Sequence, residues 1–389
     1  MRRLALVALP LAMMAGWLST LKEEELRLQK ESAIMEAKKL HDSWLNPIKM
    51  SYLYQKGDQF PNQELKSFRI SLDQPIFKSG GIWAAIKYAN AKRIASLYGV
   101  ELSRKNLVAL VIELAYKLRQ ADLRIQKQRL LIQNAHIDVK VKKDAYLAGM
   151  LDSTFLDQAL LQKNAKELAL LDLREQKAQL KKNLKDLSDE IPKKLPRFAL
   201  VPRGEYLAKN LTLKEHRAQI MAAKYYRWMS IARYLPSLSL MAEYDYQRMR
   251  GSLYFPAYSY QDHYHTYGFR LFMPLWDFNA PKEIQKAKIT YLQAANQLAQ
   301  AKRERQSLYA KTLKTLRLLD KKIALAKEDQ RIYTNLLRQT KELYKAGEKT
   351  SYDVQTLQNS LQARRLDQKI YDLQRQIELL RLYKEIDAF

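Results

Sequence analysis

The sequence contains no cysteine, which excludes disulfides, thiol nucleophiles, thiolate metal sites and a lipidated N-terminal cysteine. It has only 10 glycines and 11 prolines in 389 residues, so a chain of this length has few points at which to turn sharply. Beyond the N-terminus no apolar run approaches the roughly 20 residues that a helix needs to cross a bilayer. Neither a phosphate-cradling glycine loop nor a nucleophile elbow occurs. Carboxylates are scattered along charged segments and nominate no acid-base pair. Histidines are few, and only His263-Tyr264-His265 is clustered. With Asp262 it could offer metal ligands, but two histidines at that spacing in an aromatic segment are more often incidental. No enzyme activity, metal or cofactor is expected.

What is abundant is charge. Charged residues make up 28% of the chain and the formal net charge is +27, a statement about solubility and attraction to anionic surfaces rather than about fold. At the N-terminus, Arg2 and Arg3 precede an apolar stretch from Leu4 to Met14 and the small pair Ala15-Gly16. Residues 1–16 therefore read as a secretory signal peptide, with a short anchor or buried helix as the alternative.

The chain also repeats itself. Gln74-Pro75-Ile76-Phe77 is echoed by Met273-Pro274-Leu275-Trp276, and Tyr146-Leu147-Ala148-Gly149 by Tyr344-Lys345-Ala346-Gly347, at a common offset of about half the chain. That period is far longer than a solenoid repeat. It divides the chain into a first repeat at 17–195, a linker at 196–204 around Pro196 and Pro202, and a second repeat at 205–389.

Within each repeat, strong helix formers run almost without breakers over 81–148 and 281–346, which predicts helices of about 100 Å at 1.5 Å per residue. Each ends at a Tyr-x-Ala-Gly turn, after which a helix returns, at 154–189 and 352–387. The seams Ile284, Ala287, Tyr291, Ala294, Leu298, Ala301 and Ala363, Leu366, Ile370, Leu373, Ile377, Leu380 keep coiled-coil spacing. The returning helices are too short to cover their partners. Further helical segments at about 20–45 and 206–234 supply nearly the missing length, so long helices should pack beside end-to-end pairs of shorter ones.

Four other segments alternate with period two, the signature of strands: about 48–55, 66–73, 237–247 and 266–273. Their apolar sides (Met50, Tyr52 and Tyr54; Phe68 and Ile70; Tyr244 and Tyr246; Tyr267 and Phe269) are rich in aromatics, like the girdles of membrane barrels. The loop expected from Arg250 to Tyr267 adds Tyr254, Phe255, Tyr258, Tyr260 and Tyr264. Four strands cannot close a barrel, and an open edge in lipid leaves backbone groups unpaired. Two chains would give eight strands around a filled interior, whereas three would give twelve and leave a lumen.

The order of these features resembles the TolC-type outer-membrane efflux channels. The residues that carry it are Tyr234-Leu235-Pro236-Ser237 opening a strand, the two Pro-containing tetrapeptides, and Tyr344-x-x-Gly347-x-x-Thr350-x-x-Asp353 at a helical turn. The resemblance implies a mainly α fold with a β part. Each chain of a homotrimer would give four transmembrane strands to a shared 12-stranded barrel set in outer-membrane lipid, and helices to a tunnel across the periplasm. Its partners would be a periplasmic membrane-fusion adaptor and, through it, an inner-membrane transporter, in drug efflux or type I secretion. It assigns gating or adaptor docking to Tyr344, Gly347, Lys349, Thr350 and Asp353, and to Tyr146 and Gly149. It extends the same role to Asp152, Ser153 and Asp157, which stand about two residues off the family's spacing. Helix capping is the alternative role for the polar members, Ser153, Thr154 and Thr350 being N-cap types. The competing class is a basic coiled-coil protein binding nucleic acid or scaffolding other helices. It leaves the strands and the signal-like segment unexplained, and no nucleic acid is expected as a partner.

Overall fold

The computed structural model describes residues 16–57, 63–192, 194–251 and 259–387. The expected signal segment lies almost wholly outside these, as do Tyr254, Phe255 and Tyr258. The first repeat contains α1 (Thr20–His41), β1 (Lys49–Gly57), β2 (Gln63–Phe77), α2 (Gly81–Leu147) and α3 (Ser153–Lys185). The second contains α4 (Arg203–Ala208), α5 (Leu211–Ala232), β3 (Ser237–Arg250), β4 (Ser259–Phe272), α6 (Ala280–Lys345) and α7 (Ser351–Tyr383). The fold is mainly helical with one small antiparallel sheet.

Two strands are longer than their alternation indicated. β2 reaches from Gln63 through Phe77, and β4 starts at Ser259, inside the segment expected to be a loop, so Tyr260 and Tyr264 are strand residues. The apolar side of the alternation gives way there to Lys66, Glu64 and Gln261, which conceals the strands from a hydropathy pattern but leaves their backbone pairing intact. The segment expected as one helix over 206–234 is two, α4 and α5, interrupted at Lys209-Asn210.

The described residues form two compact units. One comprises the residues up to Arg27, Val100–Leu211 and those from Lys302 onward. In it, four helices lie in the lateral order α3, α2, α7, α6. Lys177 on α3 pairs with Asp122 on α2 at 2.6 Å, Lys127 on α2 pairs with Asp367 on α7 at 2.6 Å, and Arg375 on α7 pairs with Asp320 on α6 at 3.2 Å. The core draws on all four, with Val111 and Tyr116 from α2, Leu184 from α3, Leu316 from α6 and Leu379 from α7. Ala363, Ile370, Ile377 and Leu380 of the α7 seam are buried.

The short helices meet end to end here, by the same device in both repeats. At the start of α1 the Ser19 amide donates to Leu187 O (2.8 Å) beyond the end of α3. At the start of α5 the Leu211 amide donates to Glu385 O (2.7 Å) beyond the end of α7. The second junction is heavily polar. Glu385 accepts from the Tyr206 hydroxyl (3.1 Å) and from Asn210 Nδ2 (3.2 Å), and pairs with Arg305 Nε at 2.8 Å. Buried Lys105 donates to Ile386 O at 2.7 Å. Burial first, then the charge of Glu385, holds the Tyr206 hydroxyl well above the ordinary tyrosine range, so it remains a neutral donor. The stretch expected as a linker is strapped down: Phe198 and Val201 are buried, the Phe198 amide donates to Gln376 Oε1 (2.7 Å), and the Tyr309 hydroxyl donates to Val201 O (2.8 Å).

The other unit, Leu28–Gly99 with Thr212–Ala301, holds the sheet in the order β1-β2-β3-β4, all neighbours antiparallel. The central pairing, β2 with β3, joins the two repeats. The N-terminus of α2 approaches the end of α5 so closely that a Cβ on Gly81 would lie 3.0 Å from that of Ala232. Among the described residues, no helix is long and apolar enough to cross a membrane.

Candidate functional site

The sheet has two unlike faces, and strand register determines which residues share each. Tyr52 pairs with Phe68 and Phe68 with Tyr246; Ile70 pairs with Tyr244; Ala242 pairs with Tyr267; Leu240 pairs with Phe269. Because side chains alternate along a strand, all four apolar sides fall on one face of the sheet. That face is bare, with Met50, Tyr52, Phe269 and Leu271 exposed and Tyr267 85% exposed. The opposite face is polar. Arg69 and Asp245 are cross-strand partners there, the guanidinium donating to Asp245 Oδ2 through Nε (2.9 Å) and Nη2 (2.7 Å), while Arg270 reaches Asp73 at 2.7 Å. Asp245 is fully buried, and a fixed guanidinium is what makes a buried carboxylate tolerable.

A tryptophan marks each of the four places where strand meets helix: Trp44 between α1 and β1, Trp83 in the first turn of α2, Trp228 near the end of α5 and Trp276 between β4 and α6. Trp83, Trp228 and Trp276 are exposed. Amphipathic indoles at one end of an apolar band are suited to the boundary between hydrocarbon and water. Sequence reading missed this collar because its members lie far apart in the chain and outside the alternating runs.

At the other ends of the long helices lie the two turns. Gly149 (φ 71°) and Gly347 (φ 80°) take the left-handed conformation that closes a helix. The Gly149 amide donates to Tyr146 O (3.0 Å) and Met150 to Ala145 O (2.9 Å); Gly347 donates to Tyr344 O (3.1 Å) and Glu348 to Leu343 O (2.9 Å). These paired bonds form a Schellman motif in both repeats. Tyr146 and Tyr344 are exposed.

The returning helices start differently. The N-cap of α3 is Asp152, one residue before the expected Ser153, and its Oδ1 accepts from the Thr154 amide (2.9 Å), the Thr154 hydroxyl (2.9 Å) and Ser153 Oγ (3.2 Å). A carboxylate accepts several donors at once, which a hydroxyl cannot match. Those bonds, the Thr154 amide first, hold the Asp152 carboxyl below its ordinary range. Asp157 lies exposed in the second turn. In α7, Thr350 and Asp353 form a capping box: the Thr350 amide donates to Asp353 Oδ2 (2.9 Å), the Asp353 amide donates to Thr350 Oγ1 (3.3 Å), and the Thr350 hydroxyl donates to Asp353 Oδ2 (2.9 Å). The amide and hydroxyl of Thr350, followed by the charge of neighbouring Lys349, lower the Asp353 pKa.

A group whose pKa is lowered by folding lends stability that is complete above its unfolded value, about 4, and is lost as pH falls through the folded value. The start of α7 is therefore expected to fray only in acid. Thr350→Val should bring that fraying to neutral pH, at a cost of about 1 kcal/mol, measured as amide exchange at Asp353 and Val354. Exchange unchanged by Thr350→Val would remove the capping role.

Structure adds a pair that sequence reading passed over. Lys140 of α2 lies 5.1 Å from the centre of the Tyr352 ring in the first turn of α7, and its pKa is raised by that hydroxyl. It links the end of the first long helix to the turn of the second repeat. The histidines, by contrast, are not assembled into a site. His263 and His265 share the apolar face while Asp262 alternates to the other, and among the described residues no group of acidic and histidine side chains could hold a metal.

Comparison with known proteins agrees with this architecture. Residues 203–386 match the family described as outer membrane efflux protein. The fold is similar to that of the outer membrane protein VceC of Vibrio cholerae, with a TM-score of 0.71, 16% identity and coverage of 93% of this chain and 92% of that one. It is also similar to the CmeC outer membrane channel of Campylobacter jejuni (0.74; 15%; 94% and 82%) and to the open MtrE outer membrane channel of Neisseria gonorrhoeae (0.63; 15%; 93% and 85%). No curated protein matches the sequence. The second repeat thus matches the outer membrane efflux protein family by sequence, and the chain as a whole shares the fold of outer membrane channels.

Proposed function

We propose that the protein is the exit duct of a tripartite efflux or type I secretion system, a passive, gated homotrimeric channel. The observation that carries this reading is the bare apolar face of a four-stranded sheet whose edge strands, β1 and β4, have no strand partner among the described residues. Lipid is a fitting solvent for the face but not for the edges. Since neighbouring strands alternate in direction, β4 of one copy runs antiparallel to β1 of the next, and three copies close twelve strands around a lumen lined by the polar face.

The helical unit supports the same closure. Its outer members, α6 and α3, each carry exposed apolar residues at heptad spacing: Leu318, Leu325 and Ile332 on α6, Leu161 and Leu168 on α3. The edge from the second repeat thus has an apolar counterpart on the edge from the first, the head-to-tail arrangement that generates a ring.

The Gly149 and Gly347 turns would form the periplasmic entrance, where an adaptor docks and the gate opens. Lys349 offers a point charge beside Asp353 rather than the planar fork of an arginine. Purified protein should run as a heat-modifiable trimer and conduct ions in planar bilayers. Replacing Lys349 and Asp353 together should raise closed-state conductance several-fold; normal assembly with unchanged conductance would remove both from the gate, and a wild-type protein that never conducts would overturn the duct.

A further inference from the structure

The apolar face ends in a basic row on its strand ends remote from the tryptophan collar. Following the register outward, Tyr54 faces Lys66, Lys66 faces Arg248 and Arg248 faces Gln261; in the next rank on the same face, Lys56 faces Glu64 and Glu64 faces Arg250. No bulge interrupts these stretches, so the four cations project from the same side of the sheet as Tyr54 and Tyr246. Lys66 and Arg248 share a rank with Tyr54 and stand two residues, about 7 Å of strand, beyond the rank of Tyr52, Phe68 and Tyr246.

Like charges directly opposite each other on neighbouring strands are destabilising, yet Lys66 and Arg248 are such a pair. Among the described residues of these two ranks, one carboxylate stands with them. Glu64 takes Lys66 at 2.9 Å, and Lys66 also lies 5.4 Å from the centre of the Tyr54 ring. One anion among four cations leaves a surplus of positive charge at the border of an apolar band.

Resting on the outer-membrane reading, we propose that Lys56, Lys66, Arg248 and Arg250 bind the phosphates of an anionic, acylated sugar lipid in the leaflet that faces the exterior. An occupant of this chemistry meets all three features of the site. Acyl chains cover the aromatic face below, phosphates neutralise the opposed cations, and sugar hydroxyls reach polar side chains such as Gln261 beside Arg248. A soluble anion would use the cations and leave the face beneath them bare.

The test is native mass spectrometry of the detergent-purified trimer mixed with a diphosphorylated, acylated glucosamine disaccharide or with the same lipid stripped of phosphate. Wild-type trimer should retain the phosphorylated lipid about ten-fold or more over the stripped form. A Lys66→Gln/Arg248→Gln/Arg250→Gln variant should lose that preference while remaining trimeric and conducting normally in phosphocholine bilayers. Equal retention of both lipids by the wild type, an undiminished preference in the variant, or displacement of the lipid by an equal concentration of inorganic phosphate would each overturn the proposal. A wild-type protein that conducts but does not discriminate refutes the lipid row alone, whereas one that neither conducts nor forms trimers refutes the duct reading beneath it.

Discussion

Replacing Glu385 with alanine is expected to loosen the junction between α5 and α7 by about 3–5 kcal/mol, the cost of leaving a largely buried cation without its counter-charge. Glu385 gathers Tyr206, Asn210 and Arg305 around one carboxylate, while its own carbonyl accepts the amide that opens α5. Its side chain is 8% exposed and that of Arg305 21%, so water replaces little of what is lost. Amide exchange at Leu211 and Asp387, whose protons are held across this junction, should accelerate by roughly 100-fold or more, since each 1.4 kcal/mol is a factor of ten. Glu385→Gln should fall between wild type and Glu385→Ala, because it keeps the acceptor and loses the charge. Adding Arg305→Met should recover part of the loss by removing the stranded cation. Additive effects of the two substitutions would mean that the residues do not act as a unit.

The second large effect is on assembly. Leu325→Asp with Ile332→Asp should abolish the proposed trimer. Each leucine-sized side chain contributes about 1.5–3 kcal/mol when it passes from water into an interface, and a carboxylate there is more costly still. Ring closure repeats the loss at three contacts. Leu325 is 68% exposed in the single chain, so the substitutions should leave α6 itself and its pairing with α7 intact. The expected product is a folded helical chain of monomer mass in detergent that cannot form channels. Leu325→Met, similar in volume, should assemble normally. A trimer that survives both aspartates would place the contact between copies on another face.

Much of this architecture was legible from residue order. Two long runs of helix formers almost without breakers left α2 and α6 no alternative, and aromatic alternation marked the sheet because its side chains divide into one apolar and one polar face. What escaped was held by long-range pairing. The outer parts of β2 and β4 carry Glu64, Lys66, Gln261 and His263 on the face that is apolar lower down, so their hydropathy reads as loop while their hydrogen bonds continue the ladder. Asn210 and Glu385 are unremarkable in sequence and meet only because α5 and α7 abut. At the turns, Gly149 and Gly347 followed from their local motif. The choice of Asp152 over Ser153 as cap did not, because neighbouring residues of N-cap type compete and backbone geometry selects among them.

The splice between β2 and β3 constrains the order in which this protein can be made. Arg69 and Asp245 are 176 positions apart, so the first hairpin leaves the ribosome with one side of β2 unsatisfied and waits while α2, α3, α4 and α5 are synthesised. Pairing at such a distance is slow because the intervening chain must be brought together before any contact rewards it. Throughout that interval an exposed ladder edge flanks an aromatic surface, a combination that recruits other chains. Biogenesis of this fold is therefore expected to depend on shielding of the first repeat until the second arrives, and mutations that slow delivery of β3 should appear as aggregation of a protein whose finished state they leave untouched.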